Sequence, residues 1–356
     1  MATVRELARM LGVSPSTVSR ALRGTEGVGA ETATRIRNAA QALQVMTSRL
    51  PQRAATGAGS NALAGINGIR PIACIIANPV GSLNSDLFFS DIIASVSSYA
   101  GRIGRTVLVE TTDASSRSRI PEPVASGHVD GCIVGGIPMS QQYIDSLMAT
   151  GVPCVFIGKY LGGRTDLSAV IPDNVSGGRL VGRHLAESGY EEFAFLGGDL
   201  SIQTFADRYA GFVAGLADMG ASLRQDLVII DEIDQTGGHN AMIRLIDVAG
   251  SCRLGVFAST DWMAAGALRL LNERSIGVPA DVGLVGYSDL ELAAHLYPSL
   301  TSVQVRRDTV GLMAARTLLD IVEGRIAGPI QVVLQPGLIV RESSRMAQEV
   351  QGVELP

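Results

Sequence analysis

The sequence predicts a small all-α head of three short helices, followed by an α/β body of two doubly wound lobes that each contain a parallel sheet. Three observations lead to this prediction. Apolar side chains recur at helical spacing near the N-terminus, β-rich runs then alternate with helical patterns, and this alternation begins twice along the chain. With 356 residues, 46% of them hydrophobic, the chain is long enough for two or three globular domains.

In the head, apolar spacing predicts helices over residues 3–10 and about 31–43, with another helix between them after a turn at Gly12. Ser14 is the expected N-cap of this middle helix, and Pro15 suits its first position, where no N–H is needed. Its expected inner face consists of Val18, Ala21 and Leu22. Three short helices with a tight glycine turn between the first two form a helix-turn-helix arrangement.

The body begins at about residue 71, after a stretch rich in Ala, Gly, Ser and Asn that has the composition of a linker. The predicted strands are PIACIIA, RTVLVE, VDGCIVGG and VPCVFIG in the first lobe, and EFAFLGG, LVIID, LGVFAST and VGLVGYS in the second. Helical patterns fall near 88–100, 140–149, 174–188, 206–219, 237–248 and 262–274. This alternation is typical of parallel sheets covered on both faces, with a cleft between the lobes at the carboxyl ends of the strands.

Charge is distributed unevenly along the chain. Residues 1–56 contain eight arginines and three glutamates, a net charge of +5, whereas the whole chain carries −5, which leaves −10 for the remainder. A basic head on an acidic body indicates a polyanionic partner for the head alone. No apolar run approaches the length of a membrane span and the N-terminus has no signal-peptide core, so we expect a cytoplasmic protein without a membrane partner.

The outer face of the middle helix carries hydroxyls and arginines where a buried helix would carry leucines. Hydroxyls of Thr17 and Ser19 suit phosphate oxygens, while Ser16 and Arg20 can reach base edges in the major groove, where arginine pairs with guanine. A small solvated helical bundle is the alternative that this geometry leaves open. The residues predicted to contact DNA are Thr3, Ser14, Pro15, Ser16, Thr17, Ser19, Arg20, Arg23 and Arg49.

No motif in the sequence predicts catalysis. Lys159, the only lysine, lacks the hydroxyl and glycine spacing of a P-loop, and no G-x-S-x-G surrounds Ser288. No metal-ligand spacing relates the histidines, which are His128, His184, His239 and His295. No C-x-x-C pair occurs among the cysteines, which we interpret as core residues in a reducing compartment: Cys74, Cys132, Cys154 and Cys252. We therefore expect no catalytic residue, no cofactor and no metal, and a protein that is not an enzyme.

Two parts of the chain carry a specific family resemblance. The stretch TVRELARMLGVSPSTVSRALRGTEGVGAETATRIRNAAQAL resembles the DNA-binding head of the lactose-repressor (LacI) family at nearly every framework position. The body resembles the same family from about residue 71 to 344, through IPDNVSGGRLVGRHLAESGYEEFAFLGG, ADRYAGFVAGL, VFASTDWMAAGALRLLNERSIGVPADVGLVGYSDLELA, PSLTSVQ and LIVRES. Bodies of this family are similar to periplasmic sugar-binding proteins and carry a small effector in the cleft.

The resemblance implies a domain organisation. We expect a helix-turn-helix domain over 1–55, a linker or hinge over 56–70, an effector-binding and dimerisation body over 71–344 and a tail over 345–356. In that fold the chain crosses between lobes three times, so a helix at 306–323 should return to the first lobe and the final strands should join the second. The expected lobes are therefore about 71–171 with 303–327, and about 172–302 with 328–340.

The resemblance also implies which residues contact the effector. Arg208 should grip hydroxyls or a carboxylate, Asp173 should accept from hydroxyls, and Phe88 and Phe89 should form an apolar wall. The remaining implied contacts lie at strand and loop ends: Ile233, Thr260, Asp261 and Ser288. Five of these positions also have a structural alternative: an interlobe salt bridge for Arg208, a helix cap for Asp173 and for Ser288, and core packing for the two phenylalanines.

The chain departs from the family at three of these positions. Thr260-Asp261 stands where the family usually has Asn-Asp, and Ser288 replaces a carboxylate that normally holds the effector. Ile233 stands near the position of a common aromatic platform. These departures argue against an ordinary aldohexose held by that carboxylate.

The hinge departs from the family as well. Relatives read roughly Tyr-x-Pro-Asn-x-x-Ala-x-x-Leu after the third helix, and the leucine of this hinge helix kinks DNA. Here Pro51 falls inside the corresponding segment and Ala54 takes the leucine position, which predicts a poorly formed hinge helix and little bending. In the alternative register, Leu50 supplies the wedge.

Together these features predict an effector-responsive, DNA-binding transcriptional regulator, most simply a repressor. One short recognition helix buries too little surface for a specific site, so a palindromic operator requires a homodimer. The tail lacks heptad leucines, so nothing indicates a coiled-coil tetramer. The rival class is a solute-binding protein of the transport type, which would need a signal peptide and would not carry a helix-turn-helix.

Overall fold

The computed structural model describes most of the body and isolated positions of the head. The described residues are 13, 14, 17, 18, 21, 29, 32, 70–77, 87–112, 120–136, 139–159, 164–250 and 253–345. The chain divides into two compact units, Met1–Ser60 and Asn61–Pro356.

In the head, the described residues confirm the predicted start of the middle helix. The Ser14 hydroxyl accepts a hydrogen bond from the Thr17 backbone N–H at 3.1 Å, and the Ser14 carbonyl accepts from the N–H groups of Thr17 and Val18. Val18 and Ala21 are buried, at 0% and 1% exposure, as expected for the inner face. Ser14 is therefore the N-cap, and its side chain satisfies an N–H that the helix leaves unpaired.

The body contains two sheets and the helices that cover them. Its first half comprises β1 (Ile72–Ala77), α1 (Leu87–Arg102), β2 (Val107–Thr112), α2 (Glu122–Ala125), β3 (Gly131–Gly136), α3 (Gln141–Met148), β4 (Cys154–Ile157) and β5 (Ser168–Pro172). Its second half comprises α4 (Asn174–Glu187), β6 (Glu192–Gly197), α5 (Gln203–Asp218), β7 (Val228–Ile230), α6 (Gln235–Ala249), β8 (Leu254–Ala258), α7 (Asp261–Glu273), β9 (Val282–Ser288), α8 (Glu291–His295) and β10 (Thr301–Gln304). The chain continues through α9 (Arg307–Val322), β11 (Gln331–Leu334) and β12 (Gly337–Ile339).

The two sheets share one topology. The order in the first lobe is β2-β1-β3-β4-β5-β11, and the order in the second lobe is β7-β6-β8-β9-β10-β12. Neighbouring strands run parallel except β12, which is antiparallel to β10. Because the strand order reverses beside the first strand of each sheet, the loops at the carboxyl ends of β6 and β8 border a natural ligand crevice.

The chain crosses between the sheets three times: after β5, after β10 and after β11. The expectation that both final strands join the second lobe is wrong for β11. This strand pairs in parallel with β5 of the first sheet, and Ala169 N–H donates to the Ile330 carbonyl at 2.8 Å. The side chains of Val332 and Leu334 pack against the hydrophobic core. By pairing with β5, β11 covers a sheet edge that would otherwise expose unpaired backbone groups.

Glycines bring α4 and α5 into direct backbone contact. A Cβ added at Gly178 of α4 would lie 2.1 Å from the Arg208 carbonyl oxygen, and one at Gly211 of α5 would lie 2.0 Å from the Val175 carbonyl oxygen. Gly182 and Gly215 continue the same contact one turn further along. The absence of side chains here fixes α5, and therefore Arg208, close to the first turn of α4.

Most predicted elements are present, and the cysteines that the structure describes lie in the core, as predicted. Cys74, Cys132 and Cys154 are buried thiols, and the Sγ atoms of the last two lie 3.0 Å apart on paired strands. Cys252 lies outside the described residues, as do Leu22, the predicted helix at 3–10 and nearly all of the helix at 31–43, of which Thr32 is helical.

Candidate functional site

The candidate site lies where the carboxyl ends of the second-lobe strands meet the first turns of α4 and α7. Helix N-termini carry partial positive charge and unpaired N–H groups, so this edge favours polar and anionic ligands. Arg208 of α5 is the charged side chain at its centre, with contacts to α4, to the residue after β8 and to β9. Three separate segments therefore hold one guanidinium in place.

Arg208 is 7% exposed and its described partners are neutral. Its Nε donates to Asn174 Oδ1 at 3.0 Å, and its Nη1 donates to the Ser259 carbonyl at 2.5 Å. The guanidinium carbon stacks 3.7 Å from the centroid of the Tyr287 ring. Burial lowers the pKa of Arg208 from its usual value. Among the described residues Arg208 forms no ion pair, so its contacts do not support the interlobe salt-bridge alternative.

Asp173 acts as the N-cap of α4. Its Oδ1 accepts from the Ser176 N–H at 2.9 Å, and its Oδ2 accepts from the Ser176 hydroxyl and from Gln335 Nε2. Partial burial opposes ionisation of this carboxyl, but these hydrogen bonds outweigh it and lower the pKa. The cap alternative therefore describes Asp173 in this structure, and it is the neighbouring Asn174 that contacts Arg208. Sequence reasoning overlooked Asn174, although it lies in the same IPDN motif.

Asp261 is fully buried and has both oxygens engaged. Oδ1 accepts from the Ser302 hydroxyl at 2.6 Å, and Oδ2 accepts from the Leu290 N–H at 2.7 Å. We therefore correct the expectation that Asp261 contacts the effector: this carboxylate ties β10 and the loop before α8 to the start of α7. Burial raises its pKa to about 6, against the hydrogen bonds that favour the ionised form.

This raised pKa gives a testable pH dependence. Because the folded chain holds this proton more tightly than the unfolded chain, the contribution of Asp261 to stability is fully present below pH 3.8 and is lost as pH rises through about 6. The stability cost of Asp261→Asn should therefore be about 2 kcal/mol smaller at pH 7.5 than at pH 4.5. Urea unfolding of both proteins at intermediate pH values measures this difference, and a cost independent of pH would contradict the assignment.

The other predicted contacts divide between the surface and the core. Thr260 caps α7, accepting from the Met263 N–H at 3.1 Å and donating to the Ile233 carbonyl, while the Ile233 side chain is 36% exposed. Phe88 is half-buried, with its ring edge-to-face against Phe89. Phe89 is 9% exposed and lies over Gly135, so its side chain belongs to the core and does not form a cleft wall.

Ser288 is buried and has a positive φ of 114°. The φ of its neighbour Asp289 is also positive, at 50°. The N-cap of α8 is Leu290, so Ser288 is not that cap. Left-handed backbone costs of order 1–3 kcal/mol in residues other than glycine, and surrounding contacts must maintain it. Arg307 supplies them by donating to the carbonyls of both Ser288 and Asp289.

In the part of the body that the structure describes, the charged side chains of Arg307 and Lys159 link the lobes, and neither link is apparent from the sequence. Arg307 Nε donates to Asp91 of α1 at 2.8 Å, while the same guanidinium holds the carbonyls after β9. Lys159, after β4 of the first lobe, pairs with Asp207 of α5 at 3.4 Å. The first link lies at a chain crossing, and the second connects the lobes beside Arg208.

Comparisons with known proteins agree with this architecture. Residues 3–46 match the bacterial regulatory proteins of the lacI family, and residues 183–344 match the periplasmic binding protein-like domain. The chain combines a LacI-type DNA-binding head with a periplasmic-binding-protein-like body. The head therefore corresponds to a helix-turn-helix and the body to a two-lobed sensor, as the resemblance of the sequence implies. The relatives of this family are transcriptional regulators and not enzymes.

Individual LacI-family relatives match over nearly the full chain. The regulator CelR of Thermobifida fusca is 29% identical over 96% of this chain and 98% of its own, and PurR of Mannheimia succiniciproducens is 24% identical over 96% and 98%. A CelR–cellobiose structure aligns with a TM-score of 0.73 at 28% identity, covering 97% of this chain and all of that one. The lac repressor dimer bound to operator shares the fold, with a TM-score of 0.68 at 23% identity over 97% and 99%.

Of the predicted DNA contacts, the structure describes two. Ser14 is exposed and Thr17 is half-buried, with their hydroxyl oxygens 2.8 Å apart. Seven others lie outside the described residues: Thr3, Pro15, Ser16, Ser19, Arg20, Arg23 and Arg49. The hinge residues Leu50, Pro51 and Ala54 lie outside them too. In the described part of the chain no helix is long and apolar enough to cross a membrane, and no His, Cys, Asp and Glu side chains cluster as a metal site would require.

Proposed function

We propose that this protein is an effector-controlled transcriptional repressor of the cytoplasm, which binds a palindromic operator as a homodimer. The observation that carries the proposal is the presence, in one chain, of a LacI-type head at residues 3–46 and a two-lobed sensor body. A transport-type solute-binding protein would have no use for the head.

The cleft supports the second half of the proposal, control by a small molecule. Arg208 and Asn174 are buried and hydrogen-bonded to each other in the second lobe, and beside them the ion pair of Lys159 with Asp207 joins the lobes. A ligand bound there contacts elements on both sides and can favour one relative position of the lobes over another. CelR has been solved with cellobiose, which supports a carbohydrate-like effector.

The test of DNA binding uses selection of binding sites from random DNA by the full-length chain. We expect an inverted repeat, because a two-fold symmetric dimer reads two equivalent half-sites. Arg20→Ala should weaken binding to the selected site by about 1–3 kcal/mol and relax the preference at one guanine. Thr17→Val serves as the matched control, since loss of a phosphate contact weakens binding to all sequences alike.

Fluorescence anisotropy with the selected site and with a scrambled duplex gives both affinities. An unchanged base preference in Arg20→Ala would mean that a residue other than Arg20 contacts the base. Selection that returns no inverted repeat would contradict the homodimer and the palindromic operator.

A further inference from the structure

One arginine bonds to both lobes where the chain crosses between them after β10. Arg307, the first residue of α9, has a side chain that is 14% exposed. Its Nε donates to Asp91 Oδ2 of α1 at 2.8 Å, and its two Nη atoms donate to the carbonyls of Ser288 and Asp289. Both helices pack in the first lobe, whereas these carbonyls follow β9 of the second sheet. The guanidinium therefore makes hydrogen bonds across the two lobes.

On the first-lobe side, the start of α9 is fixed against α1. A Cβ added at Gly311, one turn after Arg307, would lie 2.5 Å from the Ile92 carbonyl oxygen. The Ser95 hydroxyl of α1 also donates to the Asp308 carbonyl at 2.6 Å. Because backbone contact and a hydrogen bond hold these helices together, Arg307 moves with the first lobe.

On the second-lobe side, the backbone is strained. Ser288 and Asp289 are consecutive residues with φ values of 114° and 50°, and neither is glycine. Aspartate tolerates such a conformation better than serine, so the strain lies mainly at Ser288. Strained backbone persists only where surrounding contacts determine it. Arg307, which bonds to the carbonyls of both residues, provides part of that restraint from the other lobe.

Other contacts of this segment stay within the second lobe. The Asp289 N–H donates to the Ser302 hydroxyl at 3.0 Å, and the Leu290 N–H donates to Asp261 Oδ2 at 2.7 Å. A movement between the lobes would leave these bonds intact. It would break the bonds from Arg307, because that residue belongs to the first lobe.

We propose that Arg307 is a latch between the lobes, which is closed in this structure. Its release lets the lobes separate and lets the backbone at Ser288 and Asp289 relax, so one set of hydrogen bonds controls both changes. Asp91 remains paired with Arg307 after release, so opening leaves no unpaired buried charge. This inference goes beyond the proposed function, because the latch acts without operator DNA and without an effector.

The first test measures how closely the lobes approach each other. Lys159→Cys and Asp207→Cys replace an ion pair that spans the lobes, in a Cys252→Ser background of the full-length chain. The other cysteines are buried, so a short bismaleimide should join the two introduced thiols, and mass spectrometry follows the product. Arg307→Gln should lower the cross-linking rate at least about tenfold, since without the latch the close arrangement becomes a minor state.

The second test measures hydrogen exchange of the strained segment by mass spectrometry. In Arg307→Gln, the amides of Asp289 and Leu290 should exchange at least about tenfold faster, because their segment has lost its restraint from the first lobe. The amides of Leu284 and Val285, inside β9, should keep their rates. A general loss of stability would instead accelerate exchange at all four positions.

Two variants accompany these measurements. Arg316→Gln removes an arginine of the same helix that is 65% exposed and lies 3.9 Å from Asp320, and it should change neither rate. Asp91→Asn removes the exposed carboxylate that orients Arg307, so it should change both rates in the same direction but by less. Because its site is exposed, Asp91→Asn also replaces Arg307→Gln in both tests if the latter does not fold.

The latch is refuted if the cross-linking rate is the same with and without Arg307, or falls equally in Arg316→Gln. Faster exchange throughout β9 would also refute it, because the arginine would then stabilise the whole sheet and not a movable contact. If Asp91→Asn has to serve as the test, unchanged rates contradict the proposal. None of these results bears on DNA binding, which site selection judges separately.

Discussion

Gly178→Ala is expected to destabilise the body by at least about 3 kcal/mol. The added methyl group would lie 2.1 Å from the Arg208 carbonyl oxygen and 2.8 Å from the Phe212 nitrogen. Both are backbone atoms, so no change of side-chain rotamer relieves the clash and the two helices must separate. Urea unfolding followed by circular dichroism measures the loss.

The matched control for this prediction is Gly101→Ala, near the end of α1. A Cβ there meets no atom within 4 Å, so the substitution should be neutral or stabilise the protein by up to about 1 kcal/mol. Similar losses for both variants would mean that helix propensity, and not the contact between α4 and α5, decides the result.

The same variant has a functional consequence. Separation of α4 from α5 moves Arg208 away from Asn174, whose hydrogen bond spans these two helices. We therefore expect any folded Gly178→Ala protein to lose effector binding together with stability, since one backbone contact serves both.

Asp289→Ala is expected to cost about 3 kcal/mol, because it leaves a largely buried arginine without its carboxylate. The Asp289 side chain is 12% exposed, accepts from Arg341 Nη2 at 2.8 Å and from Gln304 Nε2 at 3.0 Å. Alanine also tolerates the φ of 50° poorly. Chemical unfolding at pH 7 measures the cost.

Two variants separate the causes of this loss. Asp166→Ala removes a carboxylate that is 58% exposed and pairs with Arg164, and it should cost less than about 1 kcal/mol. Asp289→Asn removes only the charge, because asparagine adopts a positive φ readily. Its cost should therefore fall between those of Asp166→Ala and Asp289→Ala. If Asp289→Ala costs no more than Asp166→Ala, the ion pair of Asp289 with Arg341 does not stabilise the fold.

Much of the fold could be predicted because it depends on local patterns. The apolar runs IACIIA and GCIVGG form fully buried strands, and the spacing around Val18 and Ala21 identifies the inner face of a helix. A hydroxyl followed by proline marks the helix start at Ser14. These signals act over a few residues and need no knowledge of the partner element.

The strands that the sequence did not reveal or did not place correctly are short or half-exposed. β5 and β10 were not predicted and have five and four residues, and β11, which was expected in the other lobe, alternates between exposed and half-buried positions. Such segments become strands because a neighbouring strand offers unpaired backbone groups. For β5 and β11 this pairing spans more than 100 residues, as between Ala169 and Ile330, whereas β10 pairs with β9 and β12.

By itself, the sequence determined the class of most segments, the family resemblance and the motifs that contain the candidate site. Tertiary structure alone decided which member of a motif acts: Asn174 and not Asp173 contacts Arg208, and Asp261 is buried beneath the loop instead of facing the cleft. It also placed β11 in the first lobe. The physical reason is that adjacent residues at a helix start share a sequence signal but point in different directions, and only the packed helices determine which one reaches the guanidinium.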